Sequence, residues 1–208
     1  SFFVLKAIPV ALYCFTSYLI FTLTKKLFYD SSLALCCAFT FFLLPSVSLS
    51  SFLLSTDILL IFLWTAALVQ VLKIKENPIF LNFVILGLLL GFAFLAKYAA
   101  IYFIISLILL FIIEKSFRSI FFQSKLKLLI LPFIIILILL PNFLWNYQNE
   151  WSTLEHTVKN ASLDKIKLNP IGFFEFLLSQ IIMIGPVLFI GFCVYSFKKI
   201  KINTSEKF

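Results

Sequence analysis

Asp57 stands at the head of an apolar run, in "SSFLLSTDILLIFLWTAAL" (50–68), and Lys97 interrupts another, in "FLAKYAAIYF" (94–103). A charge in hydrocarbon costs about 2.5–3.5 kcal/mol on insertion scales, so each must be capping, paired, snorkelling or functional. A carboxylate near a helix N-terminus can satisfy free N–H groups. At the rim of a cavity it can instead orient an acceptor or balance a cation, and the sequence leaves both roles open for Asp57. Lys97, beside Tyr98, can snorkel to the interface, or its ammonium can hold a phosphate there as a point charge.

A third region, "LLPNFLWNYQNEWSTLEHTVKNAS" (139–162), mixes Trp145, Tyr147 and Trp151 with Asn142, Asn146, Gln148, Asn149, Glu150, Glu155 and His156. The aromatics alone would make an ordinary interfacial belt. Interleaved with amides and carboxylates they also suit sugars, whose C–H faces stack while their hydroxyls need hydrogen bonds. His156 is the only histidine, which fits a solvated loop residue or a site residue and makes no metal site by itself. Pro141 is expected to kink or end the preceding helix.

These residues must be positioned by membrane helices. Hydrophobic residues make up 62% of the 208 and charged residues 12%, which excludes an ordinary soluble domain. The pattern predicts an all-α polytopic bundle of about seven spans, near 2–23, 32–49, 54–72, 79–96, 98–113, 126–144 and 171–197. Residues 1–197 form the membrane domain, with an outer loop at about 145–170, and 198–208 a basic cytoplasmic tail. The first stretch lacks a basic n-region and a small-residue cleavage site. It is therefore expected to be a membrane helix of a truncated chain, not a signal peptide. Gly87 and Gly91, at GxxxG spacing, are expected to let helices approach closely. Cys14, Cys36, Cys37 and Cys193 have no metal-ligand spacing and are expected to pack as small apolar residues.

Lysine and arginine set the orientation. Twelve basic residues, from Lys25 to Lys207, fall in one set of loops and five (Lys6, Lys97, Lys159, Lys165 and Lys167) in the other. The richer side is expected to be cytoplasmic. The net charge of +8 then reflects topology, and no nucleic-acid partner is expected. Asp57, Lys97 and the 139–162 segment all fall on the outer side.

Several stretches resemble the family-39-type glycosyltransferases, the dolichyl-phosphate-mannose-protein mannosyltransferase-like group with the GT-C fold. "LSTDILLIFLWTAAL" resembles that group's "TPD" region, with Ser55 before Thr56 and Asp57 and without the usual proline. "LGLLLGFAFLAKYAAIYF" (86–103) is similar to its "GLLLGLALLTKY" hairpin, with Ala96 for threonine. "PNFLWNYQNEWSTLEHT" (141–157) looks like the segment after its kinked helix. "NPIGFFEFLLSQIIMIGPVLF" (169–189) resembles the following span through Glu175, Phe176, Gln180, Gly185 and Pro186.

The resemblance implies an inverting transferase that moves a sugar from a polyprenyl-phosphate donor to a glycan, lipid or protein acceptor on the outer face. It makes Asp57 a catalytic carboxylate and Lys97 a phosphate partner. Tyr98, Asn142, Trp145, Asn146, Trp151, His156 and Gln180 become substrate-binding candidates. No cofactor or metal is expected, the lipid-linked donor being a substrate. The group's principal base lies in a first outer loop, which the resemblance puts upstream of residue 1. These 208 residues alone are therefore expected to insert in a membrane without transferring sugar. The bias toward Phe, Ile, Leu, Lys and Asn suggests an AT-rich genome, hence a bacterial inner membrane, undecaprenyl phosphate and a periplasmic site. The rival is a permease or lipid flippase. Such proteins place polar groups near the midplane and often show internal repeats, whereas here polarity gathers at one interface.

Overall fold

The computed structural model describes residues 2–122, 125–153, 155, 159 and 170–197. Every regular element among them is a helix, as the composition requires: backbone groups in lipid must be satisfied within their own segment. The long helices are α1 (Phe2–Phe28), α4 (Thr56–Glu76) and α8 (Lys125–Gln148). Each contains a stretch long and apolar enough to cross a bilayer. Between them lie α2 (Ser31–Leu43), α3 (Pro45–Ser50), α5 (Phe80–Ala96), α6 (Ile101–Ile113) and α7 (Lys115–Phe122). Two further helices close the described chain, α9 (Pro170–Ile184) and α10 (Pro186–Phe197).

Several expected spans are interrupted, each for a local reason. The second breaks at Leu44, because the residue before a proline is driven out of the helical region, and Leu44 sits at φ −57°, ψ 127° before Pro45. The seventh bends by 99° at Gly185, whose φ of +92° ends α9, while Pro186 starts α10 where a missing N–H costs nothing. The sixth does the opposite. Pro132 and Pro141 both lie inside α8, which continues to Gln148, so Pro141 does not end the helix.

α1 packs on α2 and α4, α4 on α5, and α5 on α8. Lipid tails are as apolar as the helices, so close contact must do what the hydrophobic effect does in water. Gly87 and Gly91 supply it. A Cβ on Gly87 would lie 3.0 Å from Ile134 Cβ, and one on Gly91 2.6 Å from Ile138 Cδ1. Phe83, Leu86 and Leu90 on the same helix are fully buried. The four cysteines are free; Cys14 and Cys36 face outward, so a packing role is left to the half-buried Cys37 and Cys193.

Polar ties gather at the two ends of the bundle. At the lysine-rich end, Lys26 pairs with Glu76, and Lys127 Nζ donates to Pro78 O at 2.6 Å. There too the buried Gln70 donates to Asn82 O and Oδ1, both at 3.0 Å. Asp57, Lys97, Tyr98, Asn142 and Asn146 meet at the other end.

Candidate functional site

Ser55, not Asp57, caps α4. Its backbone is extended, and its hydroxyl accepts from Asp57 N at 3.1 Å. The carboxylate of Asp57 is thereby left for other work. One oxygen, Oδ2, accepts from the Ser55 hydroxyl at 3.1 Å, and the other, Oδ1, meets Lys97 Nζ at 2.5 Å.

Lys97 reaches this position because α5 stops there. Its backbone is extended, at φ −162° and ψ 135°, between the end of α5 and the 3-10 turn Tyr98–Ala100 that leads into α6. The break turns a long apolar run into a hairpin and places the ammonium at its tip. Lys97 also lines an open cavity of about 690 Å³, together with Phe94, Tyr98, Tyr102, Asn142 and Thr153. Asp57 is not among the lining residues, so it approaches the cavity through Lys97.

The opposite wall is built by the end of α8 and the reversal after it. The N–H of Trp151 donates to Asn146 O at 2.9 Å, the six-to-one bond of a Schellman turn. Glu150 and Trp151 both take left-handed backbone, with φ of 52° and 59°. For residues with a Cβ this costs about 1–2 kcal/mol each, so neighbouring contacts must hold it. Trp151 meets Phe143 edge-on at 6.3 Å. The Thr153 hydroxyl donates to Asn146 Oδ1, and Asn146 is 3% exposed. Asn146 Nδ2 donates to Asn142 O at 2.9 Å and to Asn142 Oδ1 at 3.2 Å. Tyr98 Oη lies 3.1 Å from Thr153 Oγ and 3.5 Å from Asn142 Oδ1.

Five sequence candidates thus converge: Asp57 with Lys97, and Tyr98 with Asn142 and Asn146. Trp145 and Trp151 are exposed beside the cavity's α8 wall and do not line it. Gln180 lies on α9, which packs against α3, and is not among the lining residues. His156 lies outside the described residues. Thr153 is a member that sequence reasoning missed, since no spacing signal foretells the left-handed reversal that carries it back. Ser55 was overlooked as the cap, although a serine two residues before Asp57 was a readable signal. Beyond this wall Glu155 pairs with Lys159 at 2.6 Å; the hydrogen bond from that ammonium, then its charge, holds the Glu155 carboxyl below the usual glutamate range.

A lipid A galacturonosyltransferase of Rhizobium johnstonii is 27% identical over 172 residues, covering 81% of this chain and 35% of the relative. The chain thus spans about a third of that relative's length. No solved structure matches it. The family model for dolichyl-phosphate-mannose-protein mannosyltransferase matches residues 1–145, a stretch that holds Asp57, Lys97, Tyr98 and Asn142 together with the helices that bring them to one end of the bundle. The chain belongs to the dolichyl-phosphate-mannose-protein mannosyltransferase family.

Proposed function

We propose that the protein is a membrane glycosyltransferase that takes a sugar from a polyprenyl-phosphate carrier and passes it, with inversion, to an acceptor at the outer face. The observation that carries this reading is Lys97: a lysine at the tip of an apolar hairpin, steadied by Asp57, on the wall of a cavity large enough for a sugar ring. The other polar groups on that wall are hydroxyls and an amide, which suit a neutral carbohydrate.

In the proposed reaction an acceptor hydroxyl attacks the anomeric carbon from the face opposite the phosphate. The new C–O bond forms as the bond to the phosphate oxygen breaks. The leaving polyprenyl phosphate takes that electron pair, and the acceptor proton passes to a general base. Lys97 would stabilise the charge developing on the phosphate through a charge-assisted contact from a cation already held in place. Asp57 is the one carboxylate beside that cation among the described residues.

The relative's lipid A substrate supports a lipid-anchored glycan as acceptor, and a bacterial inner membrane with the site facing the periplasm as location. The test uses the full-length protein in proteoliposomes with undecaprenyl phosphate carrying a radiolabelled sugar. Label moving to a lipid-anchored glycan, with release of undecaprenyl phosphate, is expected. Label that crosses the bilayer still attached to its carrier would instead identify a flippase.

A further inference from the structure

The hydrogen-bond direction in the Tyr98–Asn146 wall is fixed by one group that has no choice. The backbone carbonyl of Asn142 can only accept, so the Asn146 amide must turn its Nδ2 toward it, at 2.9 Å. Asn146 Oδ1 therefore faces Thr153 and receives the threonine proton. With that proton committed, Thr153 Oγ can only accept from Tyr98 Oη, 3.1 Å away. The longer alternative for the tyrosine proton, Asn142 Oδ1 at 3.5 Å, is also an acceptor inside the wall. Either way the single proton of Tyr98 is spent, and its oxygen offers only lone pairs to the cavity it lines.

We propose that the Tyr98–Thr153–Asn146 chain turns one wall of the cavity into an acceptor site that recognises a sugar hydroxyl. The inference rests on the sugar-transfer reading and divides its cavity into two parts. An acceptor-only oxygen repels the oxygens of a phosphate and welcomes an O–H. Lys97, on the same lining, has the opposite preference. A phosphate-linked sugar entering with its phosphate at Lys97 would meet Tyr98 with a ring hydroxyl, and so would a hydroxyl of the acceptor. Asn146, 3% exposed and with its amide taken up by Asn142 and Thr153, is then a positioning residue and not a sugar ligand. The left-handed backbone at Glu150 and Trp151 is what returns Thr153 to this place.

The test titrates the full-length protein in lipid nanodiscs with two probes, methyl β-D-galactopyranoside and undecaprenyl phosphate. Tyr98→Phe and Thr153→Val should each weaken galactoside binding roughly three- to tenfold, the worth of one neutral hydrogen bond. Both should leave undecaprenyl phosphate binding unchanged. The double variant should be no weaker than either single one, because both remove the same acceptor site, and Thr153→Ser should behave as the wild type. Unchanged galactoside affinity, additive losses, equal loss of both probes, or a wild type that binds no galactoside would each overturn the proposal. In the transfer assay, a rise in KM for the donor assigns the hydroxyl to the transferred sugar, and a rise for the acceptor assigns it there. If the binding pattern holds while no sugar is transferred, the subsite stands and the transferase reading fails. If sugar is transferred without that pattern, the reverse is true.

Discussion

Lys97 Nζ lies 2.5 Å from Asp57 Oδ1 across a sequence separation of 40 residues, and only the lysine reaches the cavity wall. The pair therefore has a direction: Asp57 fixes the cation, and the cation faces the site. An exposed ion pair of this kind contributes about 0–1 kcal/mol to stability. Its members can be changed with little loss of fold.

In the full-length protein, Lys97→Ala should lower kcat/KM of the proposed transfer about ten- to hundredfold, the loss of one charge-assisted contact of about 1.5–3 kcal/mol to phosphate. Lys159→Ala is the control, since that lysine pairs with Glu155 away from the cavity lining. Equal turnover by the two variants would return Lys97 to snorkelling.

Asp57→Asn should insert and fold normally, because Ser55 holds the helix cap. Activity should nevertheless fall, since Lys97 loses its counter-ion. Ser55→Ala should do the reverse in stability, costing about 1 kcal/mol in the unfolding of α4. An Asn variant with wild-type turnover would deny the carboxylate any part in the reaction.

Orientation is checked by cysteine labelling in a chain from which Cys14, Cys36, Cys37 and Cys193 have been removed. An impermeant maleimide added outside should reach a cysteine at Ser162 and not one at Asn203. The opposite pattern would move the cavity to the cytoplasmic face.

The Glu155–Lys159 pair should show in a titration. The folded-state value of Glu155 is depressed, so the pair's contribution is present above the ordinary glutamate value of 4.5 and is lost as pH falls through the lower folded value. Carboxyl NMR of selectively labelled protein should find a midpoint below 4.5, and Lys159→Met should raise it. A midpoint unaffected by that substitution would mean the pair does not form.

Much of the site could be read from the residue types. Charges in apolar runs are costly enough that Asp57 and Lys97 had to be doing something, and the lysine count put them on one side. The apolar segments were legible for the same reason. Their interruptions were not, because Leu44 and Gly185 break helices through backbone angles that hydropathy does not weigh. Nor was the Thr153 wall. It depends on two residues without special turn chemistry, Glu150 and Trp151, adopting a conformation that their types disfavour and that contacts around Asn146 and Phe143 help to sustain.

Gly91 has a reach beyond its own contact. It faces Ile138, one helical turn before Asn142 on α8, and α5 runs on from Gly91 to Ala96, just before Lys97 and Tyr98. The missing Cβ is therefore the fulcrum of a caliper whose two jaws are Tyr98 and Asn142. A methyl group added there would press on Ile138 without touching either jaw, so the spacing of Tyr98 and Asn142 depends on a residue outside the cavity lining.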